Sequence, residues 1–418
     1  MYKVIGEGSY GCVHRPSLTC KDKKIDYKNK ISKLMTERHL NKEMDEYDRI
    51  SAIDTNKDVY LGNPEMCAPA LKHKNDIEEC TDFEENNFKD YRLMIIPDGG
   101  NNLEIFAKDI LNRKSTPKLR EKMRKFWVEC HRLLYGVYIF QEEDTIHHDL
   151  KAQNIVFDEK TSRINFIDFG LMRSKSEVKE KLKKSNYEMA IPFWYFPFEF
   201  AFLNRSKYLS FAKMNKDVVD KNEFMKLMTQ QENFEKYMKM FYYNTVNNDT
   251  FITENTADFY STFLSTNELN YESFINKSLA TIDVYGLGMA FIYVLTRSKH
   301  LLNKKFYEDM YELCMNMITA SIDKRYTIDI AITKYEEILT KHKFLIKDNF
   351  MFENHRIKKK IKQKPVRMIV KSLKKINISK KERTRLNNTP ISKHVYKSKI
   401  HNRKTKRSPY FLKTHRNN

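Results

Sequence analysis

The stretch HHDLKAQN at residues 147–154, followed by DFG at residues 168–170, decides how this chain is interpreted. It places a carboxylate at Asp149 and an amide at Asn154, and a second carboxylate follows at Asp168. Phosphoryl transfer needs a carboxylate that orients the accepting hydroxyl, and oxygen ligands for Mg²⁺ beside a nucleotide. The three side chains supply this set, and a chance run of surface polar residues is a poor explanation of their joint spacing.

The residues between these two motifs predict a β-hairpin. Asn154–Phe157 and Ile164–Ile167 are apolar runs of strand length, separated by the polar turn 158–163. We therefore expect Asp168 to follow a hairpin that begins at Asn154.

A glycine-rich stretch, GEGSYGCV at residues 6–13, lies near the amino terminus. Glycines let a backbone approach phosphates closely and leave its N–H groups free to face the oxygens. On its own the pattern is weak, and a plain glycine turn is the more common explanation of it. The dinucleotide-binding interpretation requires a helix immediately afterwards, and Arg15-Pro16 excludes one.

The order of the predicted elements indicates an α+β fold with a small strand-rich part before a larger helical part. Residues 1–35 alternate as strands do, 36–54 have helical periodicity, and Tyr91–Ile96 is a short buried strand that ends in a turn. Helices are predicted at 118–141, 283–296, 304–318 and 327–345, and 200–282 is mainly helical.

With these landmarks in order, residues 1–345 resemble the eukaryotic-type protein kinases. The resemblance implies a two-lobed α+β fold: a β-rich N-lobe with one main helix, then a mainly helical C-lobe. Its implied boundaries are 1–97 for the N-lobe, 98–350 for the C-lobe with a helical insertion at about 200–282, and 351–418 for a basic, disordered tail.

The resemblance also implies the cofactors and the residues that bind them. ATP would lie under the glycine-rich stretch, with Mg²⁺ (or Mn²⁺) on Asn154 and Asp168 and with Asp149 and Lys151 as catalytic groups. Lys33 is favoured over Lys28 and Lys30 as the lysine that contacts the phosphates. Its partner is Glu43, with Glu46 as an alternative. The remaining nucleotide-binding candidates are Ile5, Gly6, Gly8, Tyr10, Gly11 and Val13.

Three further positions resemble structural landmarks of the same family. Residues 97–100 resemble the hinge that holds adenine, and Asp283 resembles the buried aspartate that supports the catalytic loop. Glu199, in the PFE motif at 197–199, is expected to pair with Arg325.

The sequence also departs from the family pattern. His148 replaces the arginine that normally binds a phosphorylated activation loop, so we expect activity without that phosphorylation, although a charged His148 would partly substitute. Residues 190–196 lack the usual threonine, which leaves the peptide specificity open. The long segment 200–282 is interpreted either as a brace for the large lobe or as a platform for substrates or partners.

The expected function is transfer of the γ-phosphate of ATP to Ser or Thr hydroxyls of protein substrates. Lys151 disfavours kinases of small molecules, which usually lack a lysine two residues after the catalytic aspartate. The retained Lys33, Asp149, Asn154 and Asp168 give no indication of lost catalysis. The alternative function is a nucleic-acid- or virion-associated structural protein that keeps a kinase scaffold.

A closer resemblance is to the serine/threonine kinases of large nucleocytoplasmic DNA viruses, of the asfarvirus and mimivirus kind. It rests on GSYGCVHRPSLTC at 8–20, ISKLM at 31–35 and the long segment after Glu199. This resemblance implies an intracellular protein, in a host cytoplasm and in virions.

The net charge of +21 is concentrated at the carboxyl terminus. Residues 356–418 hold 23 of the 76 Lys and Arg but one of the 55 acids, so residues 1–355 carry 53 bases against 54 acids. The tail is therefore a candidate for binding nucleic acid or another polyanion, or else a solvated segment.

The rest of the composition excludes several classes of protein. With 41% hydrophobic residues the body can bury a core, and 10 Gly and 10 Pro exclude a collagen-like chain. We expect no transmembrane segment or signal peptide, and a monomer. Six scattered cysteines without a C-x-x-C pair favour a reducing compartment over disulfides or a zinc site.

Overall fold

A five-stranded antiparallel sheet begins the fold in the computed structural model, which describes residues 2–8, 11–78, 80, 85–184, 196–214 and 271–344. The strand order is β1-β2-β3-β5-β4. Strand β3 lies at the centre, where Lys33 is opposite Val13 on one side and Met94 on the other. The strands are β1 Lys3–Gly8, β2 Gly11–Arg15, β3 Lys30–Thr36, β4 Glu65–Cys67 and β5 Tyr91–Pro97.

Helix α1, Glu37–Ile53, follows β3 directly and contacts the sheet. Its buried positions Leu40, Tyr47 and Ile50 recur at helical spacing, as the sequence predicts. Because side chains alternate across a strand, Lys33 and Leu34 point to opposite faces of β3. Lys33 points toward α1, which is why the helix can offer it a partner.

The other face of the sheet is covered by the segment between β4 and β5, which includes the short helix α2, Lys74–Ile77. Here Leu18, Leu34 and Leu93 form a core with two disulfides, which join Cys12 to Cys80 and Cys20 to Cys67. The expectation that the cysteines stay unpaired is therefore wrong for these four. Cys130 and Cys314 are free and buried.

The larger part of the fold is built on helices. The remaining α-helices of the described residues are α3 Leu103–Asn112, α4 Pro117–Glu142, α5 Lys175–Leu182, α6 Arg205–Met214, α7 Tyr271–Arg297, α8 Lys304–Ile318 and α9 Ile328–Lys341. Helix α7 contacts α3, α4, α8 and α9, and all its residues from Thr281 to Leu295 are buried.

Helix α7 is also, among the described residues, the one helix long and apolar enough to cross a membrane. Its most apolar stretch is 89% buried inside the protein. The burial explains the apolar sequence as that of a core helix.

Two small sheets hold the motifs that carry the predicted chemistry. In one, β6 Asn101–Asn102, β8 Ile155–Asp158 and β9 Arg163–Phe166 form the hairpin that the sequence predicts, with a third strand at its edge. In the other, β7 Thr145–Ile146 pairs with β10 Arg173–Ser174. The HHDLKAQN stretch at residues 147–154, which is the predicted catalytic loop, lies between β7 and β8. The DFG stretch lies between β9 and β10.

The predicted insertion at 200–282 falls largely outside the described residues, which resume at Tyr271, and so does the tail at 351–418. The chain divides into two units, Met1–His342 and Lys343–Asn418. The predicted lobe and tail boundaries stay predictions.

The sequence-predicted pair of Glu199 and Arg325 is confirmed. Both Nη atoms of Arg325 donate to the two carboxylate oxygens of Glu199, one of them over 3.1 Å, and at most 1% of either side chain is exposed. The Nε atom of Arg325 donates to the carbonyl of Thr319 over 2.9 Å, and its guanidinium lies 4.9 Å from the ring of Tyr285. The buried charges are thus paired and hydrogen-bonded on several sides.

Replacing Arg325 with Leu should lower the free energy of unfolding by about 3–5 kcal/mol, because it leaves the Glu199 carboxylate buried and unpaired. Urea denaturation followed by circular dichroism measures the change. In the double variant Glu199→Leu/Arg325→Leu no charge is left unpaired, so it should lose clearly less than the single variant. A single variant within about 1 kcal/mol of the wild type would contradict this account of the pair.

Candidate active site

Asp283 holds the start of the catalytic loop. Its two carboxylate oxygens accept the backbone N–H groups of His147 and His148 over 2.7 and 2.8 Å, as the sequence predicts for this aspartate. Burial raises the pKa of the Asp283 carboxyl, against the opposite influence of His147 and the two N–H donors. The loop backbone turns sharply here, since His148 has a φ of 69°. Helix α7 and the loop are thus joined by two hydrogen bonds to a carboxylate, and such bonds are stronger than those between two neutral groups.

Asp149, Lys151 and Asn154 form one cluster. The Nζ of Lys151 lies 3.0 Å from Oδ2 of Asp149, and the Nδ2 of Asn154 donates to the same oxygen over 2.7 Å. Asn154 Nδ2 also donates to the backbone carbonyl of Asp149 over 2.9 Å. Asp149 is 6% exposed, and these contacts hold its carboxylate in place. The structure therefore brings three of the predicted residues together.

Asp168 lies beside this cluster because the two motifs share a hydrogen bond. The backbone N–H of Ile167 donates to the carbonyl of Asn154 over 3.0 Å, and Asp168 itself has a φ of 60°. The amide nitrogen of Asn154 donates to Asp149. The Oδ1 of Asn154 accepts no hydrogen bond from the described residues. An amide oxygen beside a carboxylate is the kind of donor set that suits Mg²⁺. The residues present fit a divalent cation.

Lys33 is paired with Glu43. The Nζ of Lys33 lies 2.6 Å from Oε2 of Glu43, with 21% and 15% of the two side chains exposed. Of the competing lysines, Lys30 donates instead to Glu65 over 2.7 Å, and Lys28 is exposed. The structure brings Lys33 and Glu43 together, while the nucleotide contacts of Lys33 stay a prediction.

Glu46, the alternative partner, points elsewhere. A Cβ atom placed on Gly170 would lie 3.6 Å from both of its carboxylate oxygens, so Glu46 faces the DFG stretch. Burial, with further contributions from the negative charges of Glu43 and Asp168, raises the pKa of Glu46 to about 7. Glu46 is therefore a partly protonated group near neutral pH.

A column of aromatic rings connects α1 to the catalytic loop through Phe169. The Phe169 ring lies 5.8 Å from Tyr47, 6.3 Å from Tyr60 and 5.4 Å from His147. Helical spacing predicts that Tyr47 faces the core, whereas no local pattern marks the contribution of Tyr60. The column holds the DFG stretch between the two parts of the fold.

The glycine-rich stretch forms the β1–β2 hairpin. Gly8 is opposite Gly11, and the predicted residue Tyr10 lies outside the described residues. A Cβ atom on Gly11 would lie 2.4 Å from the carbonyl oxygen of Leu34, so glycine is required there for the close approach of β3. Ile5 and Gly6 are exposed on β1, and Val13 lies opposite Lys33, so the hairpin and the lysine share one sheet.

Arg15, at the end of this hairpin, is a residue whose importance the sequence did not indicate. Its Nη2 donates to Oδ1 of Asp98 over 2.7 Å and to the carbonyl of Gly100 over 2.8 Å. The predicted hinge at 97–100 is therefore fixed to β2. No local signal shows the link, since more than 80 residues separate its two sides.

His148 occupies an apolar environment. Its ring centroid lies 5.9 Å from that of Phe196 and 5.6 Å from that of Phe200, and these two rings stack at 4.2 Å. Burial, together with the charge of Arg173 and the neighbouring His147, lowers the pKa of His148 to about 4. The expectation that a charged His148 substitutes for arginine is therefore wrong, because the ring is neutral at physiological pH.

Replacing Glu46 with Gln should raise the melting temperature at pH 8 by roughly 3–6 °C and change it little at pH 5. A folded-state pKa above the ordinary 4.5 means that Glu46 costs stability as the pH rises from about 4.5 through 7. Thermal denaturation at the two pH values tests this.

Glu159→Gln is the matched control for that measurement. Burial acts to raise the pKa of Glu159, but hydrogen bonds from Lys122 and Arg113 hold it below the ordinary value. This variant should therefore lower the melting temperature at pH 8. A Glu46→Gln variant that behaves in the same way at pH 8 would show that the carboxylate form of Glu46 stabilises the fold.

Comparison with known proteins agrees with this geometry. Residues 104–218 match the family model described as "Protein tyrosine and serine/threonine kinase". Over 195 residues, 44% of the chain, the sequence is 26% identical to "Calcium-dependent protein kinase 4" of Plasmodium berghei (strain Anka). It is equally similar to the protein of the same name from Plasmodium falciparum (isolate 3D7). The matched region spans 31% of each relative, about a third of its length. The segment that matches the kinase family contains Asp149, Lys151, Asn154 and Asp168, and the α+β structure fits a protein-kinase fold.

Proposed function

We propose that the chain is an ATP-dependent protein kinase that transfers the γ-phosphate of ATP to Ser or Thr hydroxyls of proteins. The observation that carries the proposal is the position of the Asp149 carboxylate. Lys151 and Asn154 hold it within 3.0 Å on a loop that Asp283 fixes. A carboxylate held in this way orients an accepting hydroxyl for in-line attack on the γ-phosphorus.

Charge on the phosphates is offset by two sets of residues in this proposal. Lys33 is held by Glu43 at 2.6 Å and would contact the α- and β-phosphates. Asn154 and Asp168 would hold Mg²⁺ or Mn²⁺, which would supply positive charge beside the transferring group. The ammonium of Lys151 lies next to Asp149, where it would steady the γ-phosphate. These groups act by positioning and electrostatics, without a covalent intermediate.

Specificity for Ser and Thr is the finer part of the proposal. It is supported by Lys151, two residues after Asp149, and by the likeness to two calcium-dependent protein kinases. The family description covers tyrosine kinases as well, so phosphoamino-acid analysis is the direct test.

Other expectations stay predictions. The affiliation with large DNA viruses, with its host-cytoplasm or virion location, gains no support from the relatives, which are Plasmodium proteins. The structural-protein alternative and nucleic-acid binding depend on the tail, which lies outside the described residues. The monomeric state is likewise a prediction.

Asp149→Asn should abolish phosphate transfer while leaving ATP binding nearly unchanged, because the amide cannot accept the hydroxyl proton but occupies the same space. Radiolabelled ATP with a generic basic protein and Mg²⁺ measures transfer, and a fluorescent ATP analogue measures binding. The control is Asp158→Asn, in the β8–β9 turn, which should retain full activity. Transfer at the wild-type rate in Asp149→Asn would overturn the assignment.

Dephosphorylation of the purified protein should reduce its activity less than twofold. The neutral, aromatic-packed His148 offers no charge for a phosphate, so phosphorylation of the activation segment has no arginine at this position to bind it. The protein is treated with a broad-specificity phosphatase, and its intact mass shows whether phosphate has been removed. The same transfer assay then measures the activity. A loss of tenfold or more would contradict this interpretation of His148.

A further inference from the structure

The second strand of the glycine-rich hairpin presents two different faces. Gly11 and Val13 face one side, whereas Cys12 and His14 are buried on the other, with exposures of 4% and 0%. Cys12 directly follows Gly11 and is opposite Glu7 in β1 and Leu34 in β3. A restraint on Cys12 therefore acts close to the turn of the hairpin that is proposed to cover ATP, one residue pair from Gly8 and Gly11.

The Cys12–Cys80 disulfide provides such a restraint. Cys80 follows helix α2, and its N–H donates to the carbonyl of Ile77 over 3.0 Å, where Ile77 is fully buried. The Nε2 of His14 lies 3.1 Å from the carbonyl oxygen of Asp76 and 3.8 Å from the Sγ of Cys80. The hairpin is thus attached covalently, and by a neighbouring polar contact, to a segment packed on the back of the sheet.

The second disulfide has a different attachment. Cys20 lies in the loop after β2, and its partner Cys67 ends β4. The same two segments are also joined by backbone hydrogen bonds from Lys21 to Ala68 over 2.9 Å and from Ala70 to Thr19 over 3.0 Å. This bond joins the loop after β2 to the end of β4, and neither of its cysteines belongs to the hairpin strands. The two disulfides therefore form a matched pair for experiment.

The glycine content of the hairpin is the reason that one bond matters for binding. Gly6, Gly8 and Gly11 restrict the backbone less than residues with a Cβ atom do, so ordering the hairpin around a ligand carries an entropic cost. The hairpin has β3 as a neighbour on one side, since β1 is the edge of the sheet. A hairpin that is already fixed close to its turn loses less entropy when a ligand orders it.

We propose that Cys12 and Cys80, through their disulfide, are positioning residues for the nucleotide: they fix the glycine-rich hairpin close to its turn and so increase the affinity for ATP. The Cys20–Cys67 disulfide stabilises the same lobe without this effect. The inference rests on the proposed function, because it assumes that ATP binds under the hairpin.

The covalent state is measured first, on the full-length oxidised protein. Alkylation in denaturant without reductant should label two of the six cysteines, Cys130 and Cys314, and all six after reduction. The ligand atoms of Cys12, His14 and Cys80 lie within 4.8 Å of one another, which is also compatible with a metal site. Six labelled cysteines without reduction, together with bound zinc by elemental analysis, would overturn the proposal.

Binding of a fluorescent ATP analogue then compares Cys12→Ala/Cys80→Ala with Cys20→Ala/Cys67→Ala. Both double variants should have lower melting temperatures than the wild type, because each loses a disulfide. The Kd for the ATP analogue should rise about three- to tenfold in the first, since the hairpin becomes less restricted, and should stay within twofold of the wild type in the second. Equal affinities in the two variants would overturn the proposal.

A measurement on the wild type keeps the proposal testable if the first variant does not fold. By linkage, a disulfide that favours ATP binding must itself be favoured by bound ATP, by the same factor. Dithiothreitol supplies two electrons and two protons, yields two protein thiols and becomes its own cyclic disulfide. In buffers with a fixed ratio of reduced to oxidised dithiothreitol, saturating ATP should shift the reduction equilibrium of Cys12–Cys80 about three- to tenfold toward the disulfide. That of Cys20–Cys67 should not move.

The outcomes separate this inference from the proposed function. A wild type that binds no ATP contradicts the proposed function, and the inference with it. A wild type that binds ATP, with no ATP-dependent shift for Cys12–Cys80, contradicts the inference alone and leaves the kinase assignment in place.

Discussion

The two hydrogen bonds that Asp283 accepts from the backbone of His147 and His148 are the contacts on which the site depends. They fix a loop whose backbone would otherwise relax, since His148 has a left-handed φ. On the fixed loop, Asp149 contacts Lys151 and Asn154. The carbonyl of Asn154 accepts a hydrogen bond from the N–H of Ile167, and this bond positions the neighbouring Asp168. Because Asp283 is buried in the core helix α7, the position of the site follows from the packing of the helical part.

Burial decides the charge states around this loop, in ways that residue types do not reveal. His148 is neutral because its ring lies among phenylalanines, and Glu46 is close to half-protonated at pH 7 because it is buried and two other acids lie nearby. Arg325 and Glu199 are also buried, but they lie together as a hydrogen-bonded pair. The same physical cost, that of removing a charge from water, is met by neutralisation in one place and by pairing in the other.

Much of the fold was predictable from local pattern, because strands and helices have characteristic periods. The hairpin after Asn154, helix α1 and the pair of Glu199 and Arg325 were found in this way or by resemblance. The disulfides were not, since their partners lie 68 and 47 residues apart and no spacing rule links them. The contacts of Arg15 with the hinge and of Tyr60 with Phe169 were missed for the same reason. They depend on which surfaces the folded chain brings together.

Helix α7 gives the region before it a mechanical connection to the loop. The hydroxyl of Tyr271, at its first residue, donates to the carbonyls of Leu182 and Leu203 over 3.1 and 2.7 Å. Asp283 lies twelve residues further on, about 18 Å along the same continuous helix. The helix thus connects two positions: the chain at Leu182 and Leu203 is bonded to its first residue, and the catalytic loop is bonded to Asp283 further along. A change in the chain that leaves these two contacts and the helix intact should therefore leave the position of Asp283 unchanged.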